Sequence, residues 1–192
     1  KSLRGIELRL GESIVSSGGN LAATYTAALT GYKSFVATEG DELKVTFPLG
    51  LIKVENDPPP STKWRYNPDG IIAQLSELET ILEECPSLEP FIDGIDVCGL
   101  ETAVPNWLFG PWFELFARSY VRLGLGPPTC RFHAGESVWS PLHGIRRIDE
   151  FLNFRLPVGT KRRLGHGLSL KGDDWTRFAD QPVIEFVEDL VW

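Results

Sequence analysis

The sequence has no methionine, only three histidines and only three cysteines in 192 residues. The cysteines, Cys85, Cys98 and Cys130, are odd in number and far apart. That argues against a disulfide framework and a cysteine zinc knuckle, and fits a reducing, cytoplasmic setting. No apolar run approaches the roughly 18–20 residues of a membrane helix, and no secretory apolar region opens the chain, so no membrane partner is expected. No Gly-x-Gly-x-x-Gly follows a strand pattern and no Gly-x-x-x-x-Gly-Lys occurs, which removes the main support for dinucleotide and P-loop sites. Positive charge is also short: 19 Lys and Arg stand against 26 Asp and Glu, for a net charge of −7. A protein that grips duplex DNA through its phosphates needs the opposite balance, so duplex DNA is not an expected partner. The missing methionine and the opening on Lys1 are read as signs of a piece of a longer protein, or of a chain from which residues are missing.

What is present is enough for a core. Hydrophobic residues make up 42% and charged residues 23%, with six Trp and eleven Phe, which suits one ordinary domain or part of one. Residues 5–10 alternate and read as a strand. Residues 11–41 are rich in small and polar side chains and read as a loop with a short helix near 21–29. Residues 43–54 read as one strand interrupted by Pro48 and Gly50 and ending in a turn, and the proline-rich stretch 56–69 reads as a loop. Helical spacing over 71–84, with Asn67 or Asp69 as cap, is followed by a strand at 91–97 and a helix at 107–123. A strand at 129–133, a helix at 141–154 and short strands at 162–165 and 183–187 complete the pattern. Alternating strands and helices predict a parallel α/β sheet; periodicity alone leaves both an open doubly wound sheet and a closed barrel.

Polar clusters stand at the C-terminal ends of successive predicted strands. They are Asp96-Val97-Cys98-Gly99 with Glu101, His133-Ala134-Gly135-Glu136, and Gly165-His166-Gly167. In parallel α/β folds the site gathers at that edge, built from several strand ends at once. A neutral imidazole at His133 can face a metal. Gly135 permits a tight turn, and Glu136 beyond it can take and return protons. A metal is called for because bulk water is a poor acid; zinc lowers its pKa from about 15.7 to about 7. Each residue also has a plain structural reading: His133 as a hydrogen-bonding strand end, Asp96 as a helix cap or ion-pair partner, Glu136 as a solvated side chain, and the glycines beside His166 as a turn. Their occurrence on consecutive strand ends favours a site. Strand alternation puts Arg131 on the same face as His133, where a buried charge requires a partner such as Glu7 or Asp96.

The segments Gly94-Ile95-Asp96-Val97-Cys98-Gly99-Leu100-Glu101, Phe132-His133-Ala134-Gly135-Glu136 and Arg163-Leu164-Gly165-His166-Gly167 resemble, in order, motifs of the adenosine deaminase family, in the amidohydrolase superfamily. The resemblance implies part of a metal-dependent (β/α)8 barrel, covering about its strands two to six, with residues 1–192 as one incomplete barrel domain. It implies a zinc cofactor with His133 as a ligand, Glu136 as the group that protonates the purine ring, and His166 as the group that orients the attacking water. Gly99 and Asp96 would lie on the substrate. The implied reaction is hydrolytic deamination of an adenine nucleoside or nucleotide to the inosine form. The chain departs from the family pattern: it has neither the first-strand His-x-His pair nor the late Asp segment of the metal site, so the 192 residues alone are expected to show little or no activity.

The helix from Ser140 to Glu150 looks like a divergent bacterial branch, similar to the deaminase-like subunits of RADAR anti-phage systems. That likeness implies a homo-oligomer or a larger defence complex. Partners consistent with it are an adenine-containing small molecule or RNA. Two other readings stay open: another amidohydrolase acting on a C–N or ester bond, and a non-catalytic scaffold used in assembly. The aromatic group Trp107, Trp112, Phe113 and Phe116 would serve an interface in the last of these, against ordinary core packing as the plainer expectation.

Overall fold

Alternation along the strands sorts two faces, and the chain builds its layers on that division. The computed structural model describes residues 5–8, 10, 20–39, 44–53, 68–99, 101, 104–136 and 140–167. Strands β1 (Gly5–Glu7), β2 (Lys44–Thr46), β3 (Leu49–Lys53), β4 (Gly94–Gly99), β5 (Thr129–Ala134) and β6 (Lys161–His166) all pair in parallel. Helices α1 (Leu21–Glu39), α2 (Pro68–Glu84), α3 (Gly110–Arg122) and α4 (Pro141–Leu152) lie between them in sequence. The four-stranded sheet runs β3-β4-β5-β6, and β1-β2 forms a second pair. The expected strand at 183–187 and the candidate cap Asn67 fall outside the described residues; the other candidate, Asp69, lies inside α2, which begins at Pro68.

The single strand expected over 43–54 is two strands. Pro48, which has no N–H to give, interrupts it, so β2 pairs with β1 while β3 pairs with β4. The two sheets stay joined at the break. Leu10 bridges to Leu49, its N–H donates to the Pro48 carbonyl at 3.2 Å, and Gly50 N–H donates to the Leu10 carbonyl at 2.8 Å.

The short helix expected near 21–29 runs on to Glu39. Its threonines and Gly31 are weak helix formers, which hid its length. Asn20 Oδ1 caps it by accepting from Ala23 N–H at 3.0 Å. The hydroxyls of Thr24, Thr26, Thr30 and Thr38 donate back to carbonyls one turn earlier instead of competing for the backbone elsewhere. Leu21, Tyr25 and Leu29 form its buried stripe, and Tyr25 Oη donates to the Phe47 carbonyl at 3.1 Å. Burial pushes the Tyr25 hydroxyl far above its ordinary pKa, with the charge of Asp93 adding to the effect, so it stays a donor.

On β5, Cys130, Phe132 and Ala134 face the helices and are fully buried. Phe132 packs against Phe113 of α3, Phe151 of α4 and Phe154, with ring centroids 5.3–6.0 Å apart. Burial first of all, against a smaller opposing pull from Arg162 and Arg131, pushes the Cys130 thiol up to about 12. Phe113 and Phe116 belong to this core, Trp112 packs partly against it, and Trp107 is 51% exposed. The aromatic group is thus mainly core. No helix among the described residues is long and apolar enough to cross a membrane.

Thr129, Arg131 and His133 take the opposite face. There Glu7 of β1 bonds both Arg131 of β5 and Arg163 of β6. Laid flat at about 4.8 Å per strand, β1 and β6 would stand roughly 19 Å apart, beyond the combined reach of Glu and Arg. The sheet therefore curls, and the charged side chains meet across its concave face.

Candidate functional site

The concave face encloses a cavity of about 290 Å³, lined by Glu7, Asp96, Arg131, His133, Arg163 and Gly165 among others. Its deep part is a charge network. The Arg131 guanidinium, 6% exposed, gives Nη2 to Asp93 Oδ2 at 2.6 Å and to Glu7 Oε1 at 3.1 Å, and Nε to Glu7 Oε2 at 3.2 Å. Burial alone would depress the Arg131 pKa; hydrogen bonds and charge from Glu7 and Asp93 outweigh it and raise the value. Burial likewise pushes Glu7 up, and Arg131 with Arg163 outweighs this and holds Glu7 below its ordinary range. Glu7 is thus a partner as the sequence suggested. The other is Asp93 rather than Asp96. The guanidinium leans back along β5, where Nη1 also reaches the Thr129 carbonyl at 3.4 Å, toward the strand start that Asp93 precedes.

Asp96 engages His133 instead. Its side chain is 6% exposed, and Oδ1 lies 3.3 Å from His133 Nε2. Parallel register explains the meeting: Asp96 stands beside Arg131, on the face that Arg131 shares with His133 one pleat further along. Gly165 is beside His133 on β6. A Cβ at Gly165 would come within 3.0 Å of the His133 ring, so glycine is what lets the imidazole lie against the backbone.

His166 breaks the pleat. Regular alternation would put it on the same face as Ala134, its register partner. Its φ of 65° instead takes the backbone into the left-handed region, a strain of about 1–3 kcal/mol that clusters at functional sites. The ring lies 5.0 Å from that of His133, and His166 Nε2 lies 3.1 Å from Glu136 Oε2. Gly167 N–H donates to the Ala134 carbonyl at 2.9 Å and anchors this turn. Gly135 has φ 81°, so β5 also ends in a turn that suits glycine, and Glu136 emerges exposed beyond it.

Four of the five residues singled out from sequence, Asp96, His133, Glu136 and His166, thus stand in contacting pairs. Strand β4 runs from Gly94 to Gly99 rather than over 91–97, so Asp96 lies within the strand beside Arg131 and only the other three stand at the C-terminal edge of the sheet. Gly99 ends β4 with φ 100°, exposed, and forms no part of these pairs. Glu101 gains a contact that sequence reasoning did not assign: its Oε2 accepts from Glu136 N–H at 2.9 Å. Imidazole nitrogen and carboxylate oxygen are donors that zinc takes, and His133 with Asp96 presents both to the cavity. Among the described residues no group of three or more His, Cys, Asp or Glu comes together to hold a metal ion. These donors suit zinc in kind and do not complete a cage. Comparison with protein-family models and with curated proteins finds no match.

Proposed function

We propose that the chain is part of a zinc-dependent hydrolase of the adenosine deaminase type, converting an adenine nucleoside or nucleotide to the inosine form. The observation that carries this reading is the pairing of Glu136 with His166 at the C-terminal edge of a curled parallel sheet, beside His133, whose partner Asp96 lies one pleat deeper on β4. The curl supports the finer reading of the fold, a (β/α)8 barrel of which these strands are a part.

Each residue has a task that its surroundings permit. His133 would hold the zinc, oriented by Asp96 at one nitrogen and by the bare backbone of Gly165 against its ring. Zinc, when bound, supplies the acidity that makes water a nucleophile near neutral pH. Glu136, open to solvent and against His166, would give a proton to the purine ring and pass one to the departing amino group. His166 orients the water whose oxygen ends on C6, while the C6–N bond breaks and ammonia leaves.

The test is direct. The full-length protein, supplied with zinc, is offered adenosine, AMP, ATP and short RNA, with ammonia as the readout. At least one compound is deaminated, and Glu136→Gln slows that reaction by about 10²-fold or more. Release of ammonia from none of them overturns the reading. Turnover of an amide or ester panel in its place would point to a different amidohydrolase, and no turnover at all to a scaffold.

A further inference from the structure

Glu101 follows β4 and is 2% exposed. Taking a carboxylate out of water is costly unless hydrogen bonds replace the lost hydration. One of those bonds comes from the backbone N–H of Glu136, 2.9 Å away and 35 residues along the chain. Glu136 is itself exposed and follows a glycine turn, where a chain ordinarily samples several positions. Here the turn is gripped from three directions. Glu101 holds the Glu136 amide from the β4 side. From α4, Ile148 Cδ1 would lie 2.9 Å from a Cβ at Gly135, and from just past the end of β6, Gly167 Cα would lie 3.3 Å from it. Only the first of these grips acts on Glu136 itself.

We infer that Glu101 is a positioning residue, whose buried carboxylate holds Glu136 by its main chain so that the Glu136 side chain meets His166. This inference rests on the reading of Glu136 as the proton carrier. It does not require Glu101 to touch substrate. Its effect is geometric, and a displacement of about 1 Å at a reacting group can cost about 10²-fold in rate.

The experiment uses the full-length protein with Glu101→Leu, which removes the acceptor, and Glu101→Gln, which keeps one. Amide exchange at Glu136 is read by NMR, and kcat and KM are read on whichever adenine compound the panel above identifies. In Glu101→Leu the Glu136 amide exchanges about 10- to 100-fold faster, as expected for losing a hydrogen bond to a charged acceptor. Its kcat falls about 10²-fold while KM stays within about threefold. Glu101→Gln restores both readouts to within about fivefold of the unaltered protein. Unchanged exchange in Glu101→Leu overturns the inference, as does faster exchange with kcat intact, or a glutamine variant as impaired as the leucine one. If Glu101→Leu does not fold, Glu101→Ala, which leaves room for water, is read against the same outcomes. If the unaltered protein deaminates nothing, the deaminase reading fails, and the exchange rates alone decide the tether: acceleration in Glu101→Leu reversed in Glu101→Gln upholds it, and unchanged exchange overturns it.

Discussion

Two levels of one concave face, a single pleat apart on β5, are built on different principles. At the deeper level Arg131 is 6% exposed and donates to two carboxylates at 2.6–3.2 Å. At the strand end His133 is 27% exposed, its contact with Asp96 is 3.3 Å, and its neighbours His166 and Glu136 are 35% and 49% exposed. The lower network pairs its buried cation with two carboxylates, although Asp93 Oδ1 is buried without a hydrogen bond. The upper pairs leave both imidazoles and the Glu136 carboxylate partly open, where a metal or substrate can compete for them, while Asp96 lies buried beneath His133. A buried charge must be paired to be tolerated, whereas a reacting group must remain reachable. The same strand meets both demands by changing depth.

That comparison breaks most readily at Arg131. Arg131→Met strands Asp93 without its cation and leaves Glu7 with Arg163 alone. Because those carboxylates are partly exposed, the loss is expected at the low end for a broken buried pair, about 2–3 kcal/mol in urea unfolding of the full-length protein. A loss under about 0.5 kcal/mol would mean that the deep level is as loosely held as the upper one. At the upper level Glu136→Gln sharpens the contrast, changing stability by no more than about 0.5 kcal/mol while slowing ammonia release by about 10²-fold or more. Equal damage to fold and activity would erase the distinction.

The smallest effect is in acid. Glu7 is held below its ordinary value of 4.5, so its ion pairs stabilise the fold fully above that value, and the contribution is lost as pH falls through the lower folded-state pKa. Glu7→Gln should therefore narrow the gap between unfolding midpoints measured at about pH 7 and about pH 3. An unchanged gap would place the acid sensitivity elsewhere.

Much of the local organisation was legible beforehand. The strand expected at 129–133 is β5, one residue longer, and its alternation puts Arg131 and His133 on one face, where that charge needs a partner such as Glu7 or Asp96. The extent of α1 was not legible, because its threonines lower helix propensity and the bonds that rescue it come from their own hydroxyls once the helix exists. The division at Pro48 into β2 and β3 was readable as an interruption, yet which strands each half would join was not.

By itself the sequence determined the kinds of elements, their order and the strand ends at which His133, Glu136 and His166 would appear, since side-chain periodicity and glycine turns are local properties. The tertiary structure alone decided who meets whom. Arg131 finds Glu7 across 124 residues because the sheet curls. Glu101 reaches the Glu136 amide because two strand ends lie side by side. His166 turns toward His133 because its backbone leaves the pleat. Such contacts depend on sheet curvature and on one residue's φ, and neither leaves a period in the sequence from which it could be read.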